Sequence, residues 1–145
     1  MKRLVLTATV LVSALGAASW LDQGAEAGHI TKCFGERADE NRSHDPSGSF
    51  LVGTAGHDVI IGSPDIDHVE GRGGRDFLCG IGGGDELVGG RKADKLNGGR
   101  GADDLAGGSG DDLLKGGPGQ DHGRGGPGRD TCVDIEVRTS CEVVR

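Results

Sequence analysis

The chain has 145 residues, enough for one small domain, but only three Phe, one Trp and no Tyr from which to build an aromatic core. Its 30 glycines are several times the usual share, which fits either flexible low-complexity sequence or a repeat that places glycine at fixed turns. The net charge of -7 argues against a nucleic acid partner, because binding a phosphate backbone needs a basic surface.

The N-terminal segment has the layout of a secretory signal peptide. A basic start precedes an apolar run from Leu4 to Ala18, and the Ala-Glu-Ala of residues 25–27 is a small-x-small cleavage site. An uncleaved membrane anchor is the alternative, but the run is shorter than the ~20 residues that a spanning helix needs. We therefore predict a signal peptide over 1–27, a mature chain from Gly28, no membrane insertion after cleavage, and secretion.

From Gly53 to Val133 the chain divides into nine consecutive units of nine residues. Position 1 is glycine and position 6 is aspartate in every unit, and position 8 is aliphatic in the first seven. The aspartates are Asp58, Asp67, Asp76, Asp85, Asp94, Asp103, Asp112, Asp121 and Asp130. The aliphatic residues are Ile60, Val69, Leu78, Leu87, Leu96, Leu105 and Leu114. Three positions that recur every nine residues over this many units are not expected by chance, so the pattern indicates a repeat fold.

Each position of the unit has a physical interpretation. Glycines allow backbone angles that are closed to other residues, so the first six positions can turn sharply. The last three positions form a minimal strand with one inward side chain. Two units per turn then give a solenoid in which the aspartates stack in two columns. Stacked strands lie about 4.8 Å apart, so the carboxylates within each column lie close together. Such columns repel unless a hard cation bridges them, and calcium takes six to eight oxygen ligands from carboxylates and carbonyls.

The units resemble GGxGxDxUx, the calcium-binding nonapeptide of the repeats-in-toxin, or hemolysin-type, family. The resemblance covers the nine units, 81 of 145 residues. It implies an all-β fold, a parallel β-roll, in which the position-6 aspartates and loop carbonyls hold Ca2+ between turns n and n+2. Nine loops then imply at most seven inter-turn sites.

Several units depart from this pattern. Asp65 and Lys92 stand at position 4 in place of glycine, and the positive charge of Lys92 predicts weak or empty sites at its loop. Gly123 replaces the inward aliphatic residue of the eighth unit, which predicts that the roll loosens there. At position 2 the first four units carry Thr54, Ser63, Arg72 and Ile81.

Four cysteines in a small exported chain favour two disulfides, and the competing use, zinc, lacks a CxxC pair. Cys79 falls at the outward position 9, whereas Cys132 and Cys141 both fall at the inward position 8, on opposite sheets. We favour the pairings 33–79 and 132–141, because each then locks one end of the roll. The fold class is thus a β-roll with short disulfide-tethered caps.

The remaining segments are predicted to cap the roll. Residues 28–52 form an N-terminal flap and a half-repeat, 53–133 the roll, and 134–145 a C-terminal cap. The half-repeat keeps a strand over 50–52 but has Ser49 in place of aspartate, so we expect it to bind no metal. The histidines share no metal-ligand spacing and are predicted to lie on the surface; they are His29, His44, His57, His68 and His122.

These features predict a secreted calcium-binding protein that is not an enzyme. Outside the units the mature chain is too short for a catalytic domain, and it has no HExxH or Ser-His-Asp arrangement. The inward column is too small to offset the entropy of ordering the roll, so we expect folding to need calcium near ~0.1–1 mM. The alternative function is a calcium-rigidified scaffold for adhesion to a cell-surface or matrix protein.

Overall fold

The structure, a computed structural model, describes residues 32–37 and 50–143. The predicted signal peptide 1–27, the mature start at Gly28, and the predictions for His29, His44 and Ser49 all lie outside these residues. All regular secondary structure within the described ranges is β, so the all-β prediction is confirmed. No helix among these residues is long and apolar enough to cross a membrane.

The strands form one small hairpin and two parallel sheets. The hairpin strands are β1 (Lys32–Cys33) and β2 (Glu36–Arg37). The first sheet has the order β14-β12-β10-β8-β6-β4, with β4 (Val59–Ile61), β6 (Phe77–Gly82), β8 (Lys95–Arg100), β10 (Leu113–Lys115), β12 (Thr131–Val133) and β14 (Glu142–Val143). The second has the order β13-β11-β9-β7-β5-β3, with β3 (Phe50–Val52), β5 (His68–Gly73), β7 (Glu86–Arg91), β9 (Asp104–Ser109), β11 (His122–Arg124) and β13 (Val137–Thr139).

Successive repeats alternate between the two sheets, as a solenoid with two repeats per turn requires. Leu78 pairs with Leu96 in the first sheet and Leu87 with Leu105 in the second, so each strand pairs with the strand two repeats further on. This register confirms the predicted parallel β-roll. Strands β5 to β9 are six residues long instead of the expected three, because positions 2 and 3 of the following unit also join the ladder, as in Arg72 with Gly90.

The core is the column of position-8 side chains between the two sheets. Its buried members include all seven predicted aliphatic residues, extended at the ends by Leu51, Cys132 and Ile135. Each inward side chain lies directly above one from the next turn, because the 18-residue offset preserves the alternation of the strand. In β5 to β9 the glycine at position 1 is the fourth residue of the strand, between the inward-facing segment and the positions that continue the ladder.

The N-terminal hairpin covers the outer face of the first sheet. Cys33 bonds to Cys79, with 5.8 Å between their Cα atoms, which confirms the pairing and the outward placement of Cys79. Val59 and Ile61 form a second apolar cluster with this disulfide. Phe34 lies 5.9 Å from Phe77, between ring centroids. The described part of the predicted flap, residues 32–37, is thus an antiparallel hairpin.

The C-terminal cap differs from the expected continuation of the repeat. β13 pairs with β11 in the register His122 to Val137, an offset of 15 residues, where the upstream turns have 18. The N–H of Gly117 donates to Asp134 O at 3.2 Å, which keeps Asp134 in the position-1 place. Only Ile135 and Glu136 then separate it from Val137, so three residues of the usual loop are missing.

This shortening corrects two expectations. The roll does not loosen at Gly123, because Ile135 turns inward and fills the missing side-chain volume; a Cβ on Gly123 would lie 2.7 Å from Ile135 Cδ1. Cys141 lies after β13 and not at position 8 of a strand on the opposite sheet. It still bonds to Cys132, with 5.6 Å between Cα atoms, so that pairing is confirmed.

Candidate metal centre

The nine position-6 aspartates lie in two columns, one along each edge of the roll, and each is at most 4% exposed. Within a column, Oδ1 of each aspartate accepts a hydrogen bond from the backbone N–H of the aspartate 18 residues earlier, at N···O distances of 2.7 to 3.0 Å. Seven such bonds join the nine residues. One carboxylate oxygen of each aspartate in the later turns is therefore used by the protein itself.

The other oxygen, Oδ2, has a protein partner in the first two loops. The backbone N–H of Thr54 donates to Asp58 Oδ2 at 2.6 Å, and the Thr54 hydroxyl donates to the same oxygen at 2.8 Å. The backbone N–H of Ser63 donates to Asp67 Oδ2 at 2.5 Å. In these loops the residue at position 2 satisfies the carboxylate.

The later loops leave Oδ2 without such a partner. In repeats 4 to 9 this oxygen is buried and accepts no hydrogen bond from the described residues; it belongs to Asp85, Asp94, Asp103, Asp112, Asp121 and Asp130. A buried carboxylate oxygen without a donor is costly, because it has lost its water and gained nothing in return. Six such oxygens in one small domain make these loops candidate positions for a cation.

The backbone at position 2 explains the difference between the two groups of loops. From the third repeat onward this residue has a positive φ, such as 94° at Ile81 and 109° at Gly99. Its N–H then points along the sheet, and Gly99 donates to Gly116 O at 2.9 Å. Because the amide is used in the ladder, it cannot donate to the aspartate of its own loop.

In five of these six loops, all but that of Asp103, the position-1 glycine lies close to both Oδ2 and a carbonyl oxygen of the next turn. A Cβ on Gly89 would lie 2.7 Å from Asp94 Oδ2 and 2.5 Å from Gly107 O, the carbonyl of the next turn. The Cα hydrogens of position-1 glycine therefore face both oxygens, and any side chain there would fill the space between them. Carboxylate and carbonyl oxygens brought together in this way are the ligand type that calcium prefers.

Burial makes the columns poor places for uncompensated negative charge. Desolvation, with a smaller contribution from the neighbouring carboxylates of each column and against the lowering effect of the backbone hydrogen bonds, raises the pKa of Asp85 and that of Asp94 to about 7. Burial likewise raises the pKa of Asp103, Asp112 and Asp121. A divalent cation in the column would remove this penalty.

The donor set fits calcium better than a transition metal. Among residues 32–37 and 50–143 no three His, Cys, Asp or Glu side chains converge on one point. Side chains alone therefore cannot complete a site, and loop carbonyls and water would have to supply the remaining ligands. Zinc and its neighbours favour nitrogen and sulfur donors, whereas a site of carboxylates and carbonyls suits a hard cation.

The fifth loop is the one that the sequence marks as unusual. Lys92 adopts a φ of 76° in the place of a position-4 glycine, and its side chain is exposed. The aspartate of this loop, Asp94, keeps the same buried, unpartnered Oδ2 as its neighbours. The lysine thus leaves the local backbone intact and adds strain together with a nearby positive charge.

The three described histidines lie outside the columns. His57 and His122 are exposed, as expected, whereas His68 is half-buried on the outer face of the second sheet. Its ring stacks on Phe50 with 4.4 Å between centroids, and its Nδ1 lies 2.7 Å from Glu86 Oε2. Phe50, His68 and Glu86 thus form a surface cluster that is separate from the aspartate columns.

One residue of the columns was missed from the sequence. Glu136 Oε2 accepts a hydrogen bond from the Asp121 N–H at 2.7 Å, the contact that Asp Oδ1 makes in the upstream turns. A nine-residue frame puts Thr139 in that place, so only the three-residue shortening of the cap reveals Glu136. The hydrogen bonds from Thr54 and Ser63 at position 2 were missed as well, because both residues donate through the backbone N–H, which the residue type does not reveal.

Fold and edge geometry together define a parallel β-roll of nonapeptide repeats with stacked, buried aspartates. The family model described as RTX calcium-binding nonapeptide repeat (4 copies) matches residues 52–85, 80–114 and 99–132. These matches span more than half of the chain, and the chain belongs to this family. No curated protein and no solved structure gave a match.

Proposed function

We propose that this chain is a secreted calcium-binding protein whose roll folds when Ca2+ ions bind between its stacked loops. The observation that carries the proposal is the set of buried, unpartnered Oδ2 oxygens in repeats 4 to 9. Membership of a calcium-binding repeat family supports the choice of ion. Bound calcium would supply the positive charge that these buried carboxylates lack.

The proposed ligands are the carboxylates of the two columns together with carbonyls of the adjoining loops. Support is strongest for the aspartates of repeats 4 to 9, where Oδ2 is buried and accepts no hydrogen bond from the described residues. Asp76 belongs to the set through its place in the repeat. Asp58 and Asp67 are the weaker members, because Thr54 and Ser63 already donate to their Oδ2 oxygens.

Calorimetric titration of the oxidised mature chain, residues 28–145, tests this proposal. Several calcium ions should bind, with magnesium binding much more weakly, because magnesium demands near-ideal octahedral geometry and gives up its water reluctantly. The variant Asp85→Asn/Asp94→Asn removes two of the proposed ligands and should bind fewer ions than the wild type. The absence of calcium-dependent heat in the wild type would refute the proposal.

Secretion forms part of the same proposal and rests on the N-terminal sequence. Extracellular calcium is high enough to occupy modules with affinities of ~0.1–1 mM, whereas the inside of a cell is not. Disulfides such as Cys33–Cys79 also persist in an oxidising compartment. The secreted protein should begin at Gly28, and N-terminal sequencing of material exported from the full chain checks this cleavage site.

We do not propose a catalytic role, because the repeat family is a calcium-binding structural unit. The adhesion alternative stays a prediction without a specific surface to support it. The large exposed apolar side chains among the described residues are Phe34, Phe50, Ile66 and Val137. Phe50 and Val137 lie on opposite edge strands of one sheet, so they do not join into a docking face.

A further inference from the structure

The C-terminal end of the roll carries one more carboxylate than the repeat provides. Glu136 follows the nine units, and its side chain meets the last aspartate of the even column, Asp121. In each upstream turn the corresponding partner is an aspartate 18 residues further on. Here the partner is only 15 residues away and has a side chain longer by one methylene.

The backbone around Glu136 reproduces a position-6 environment. Val137 donates to Asp121 O at 3.1 Å, as His122 donates to Asp103 O at 2.8 Å one turn earlier. Residue 137 therefore occupies a position-7 place, and Glu136 the position-6 place before it. The loop is three residues shorter than those upstream, yet it places the Glu136 carboxylate where the repeat would place an aspartate.

The oxygens around Gly116 match those of the upstream turns. A Cβ on Gly116 would collide with Asp121 Oδ2 and with the carbonyl oxygen of Asp134. Asp121 is fully buried, and its Oδ2 accepts no hydrogen bond from the described residues. This unpartnered oxygen is an observation independent of Glu136 and calls for a ligand at this end of the column.

We propose that Glu136 completes an additional calcium site, shared with Asp121 and the Asp134 carbonyl, that closes the even column at the C-terminal end. The nine aspartates form seven inter-turn pairs, and the Asp121–Glu136 pair adds an eighth with the same hydrogen bond, in which Glu136 is exposed where the aspartates are buried. The inference rests on the proposed calcium-dependent function and extends it to a residue outside the nonapeptide motif.

Glu136→Gln is the variant that separates the metal from the hydrogen bond. Glutamine keeps an oxygen that can accept from the Asp121 N–H, so the cap keeps its contact while the negative charge is removed. Glu70→Gln is the matched control, because it makes the same chemical change on the outer face of the second sheet, where Glu70 has only a 3.9 Å contact between its Oε1 and Arg72 Nε.

The test is a count of bound calcium by native mass spectrometry on the oxidised chain, with hydrogen exchange of the 121–139 segment as a second readout. Glu136→Gln should bind one ion fewer than both the wild type and Glu70→Gln, and calcium should no longer slow exchange in that segment. Equal counts and equal protection in all three proteins would overturn the Glu136 site while leaving the proposed function intact. A wild type that binds no calcium would overturn both.

Discussion

The first two loops of the roll and the loops of repeats 4 to 9 use the same aspartate in opposite ways. In the first two, the amides of Thr54 and Ser63 satisfy Oδ2 of their own loop. In the later group, position 2 has a positive φ, its amide enters the ladder, and Oδ2 stays buried without a donor. The comparison shows that a positive φ at position 2, which Ile81 adopts as well as the later glycines, turns the amide away from the carboxylate and leaves Oδ2 without that donor.

The largest expected effect comes from placing a side chain at position 2 of a later loop. In Gly99→Ala the new Cβ meets the backbone of Ile81 at a φ of 109°, so strain and overpacking should together cost about 2–6 kcal/mol. Thr54→Ala, in an early loop, should cost about 0.5–1.5 kcal/mol, through the hydroxyl bond to Asp58. Urea unfolding in saturating calcium measures both, and equal losses would contradict the distinction between the loops.

A smaller effect follows from neutralising one aspartate in each group. Asp103→Asn should lose a bound ion, which at tenfold to hundredfold excess of calcium over Kd is worth about 1.4–2.7 kcal/mol of unfolding free energy. Asp67→Asn should lose much less calcium-dependent stability, because a backbone amide already satisfies Asp67 Oδ2. Calcium-dependent stability of the two variants decides the matter, and equal calcium-specific losses would contradict the distinction between the loops.

Acidic pH should partly replace calcium. Asp85 and Asp94 have a pKa of about 7 in the folded, calcium-free roll against an ordinary value of 3.8, so between these values the folded state binds more protons than the unfolded state. The free energy of unfolding without calcium must then fall as pH rises from about 4 to about 7. Protons also compete with calcium, so calcium affinity should rise over the same range.

Circular dichroism in chelator across this range should show β structure at the acidic end that fades towards neutral pH. The variant Asp85→Asn/Asp94→Asn should flatten the pH dependence, because its side chains no longer titrate. A calcium-free roll that gains β structure as pH rises would reverse the predicted sign.

The smallest effect concerns the irregular fifth loop. Lys92→Gly relieves a positive φ of 76° and removes a charge near the column, against the entropy that glycine adds to the unfolded chain. We expect a net gain below about 1 kcal/mol and a lower calcium midpoint. Lys92→Ala removes the charge but keeps the strain, so it should lower the midpoint without the full gain in stability. No change in either variant would show that this loop tolerates lysine.

The sequence predicted the repeating part of the molecule well because period and chemistry agree there. A glycine at every turn, an aliphatic residue at each inward position and an aspartate at each edge have one compatible geometry, and the roll follows. The Cys33–Cys79 pairing could be predicted because position 9 faces outward. The hairpin that carries Cys33 could not, since two-residue strands leave no periodic signal.

The ends and the ligand environment could not be predicted from the period. A fixed nine-residue frame cannot register a three-residue shortening, so Glu136 was missed and Cys141 was placed on the wrong element. Gly123 was expected to leave a hole because the neighbour that fills it, Ile135, lies outside the frame. The two kinds of loop depend on a backbone angle at position 2, which the identity of Thr54 or Arg72 does not reveal.

Far-UV circular dichroism of the oxidised chain, residues 28–145, during a calcium titration at neutral pH tests the central claim most directly. We predict a cooperative gain of β signal with calcium and none with magnesium, because only calcium fits the oxygen ligands that the loops present. A spectrum that does not change up to several millimolar calcium would contradict the claim that the metal builds the roll.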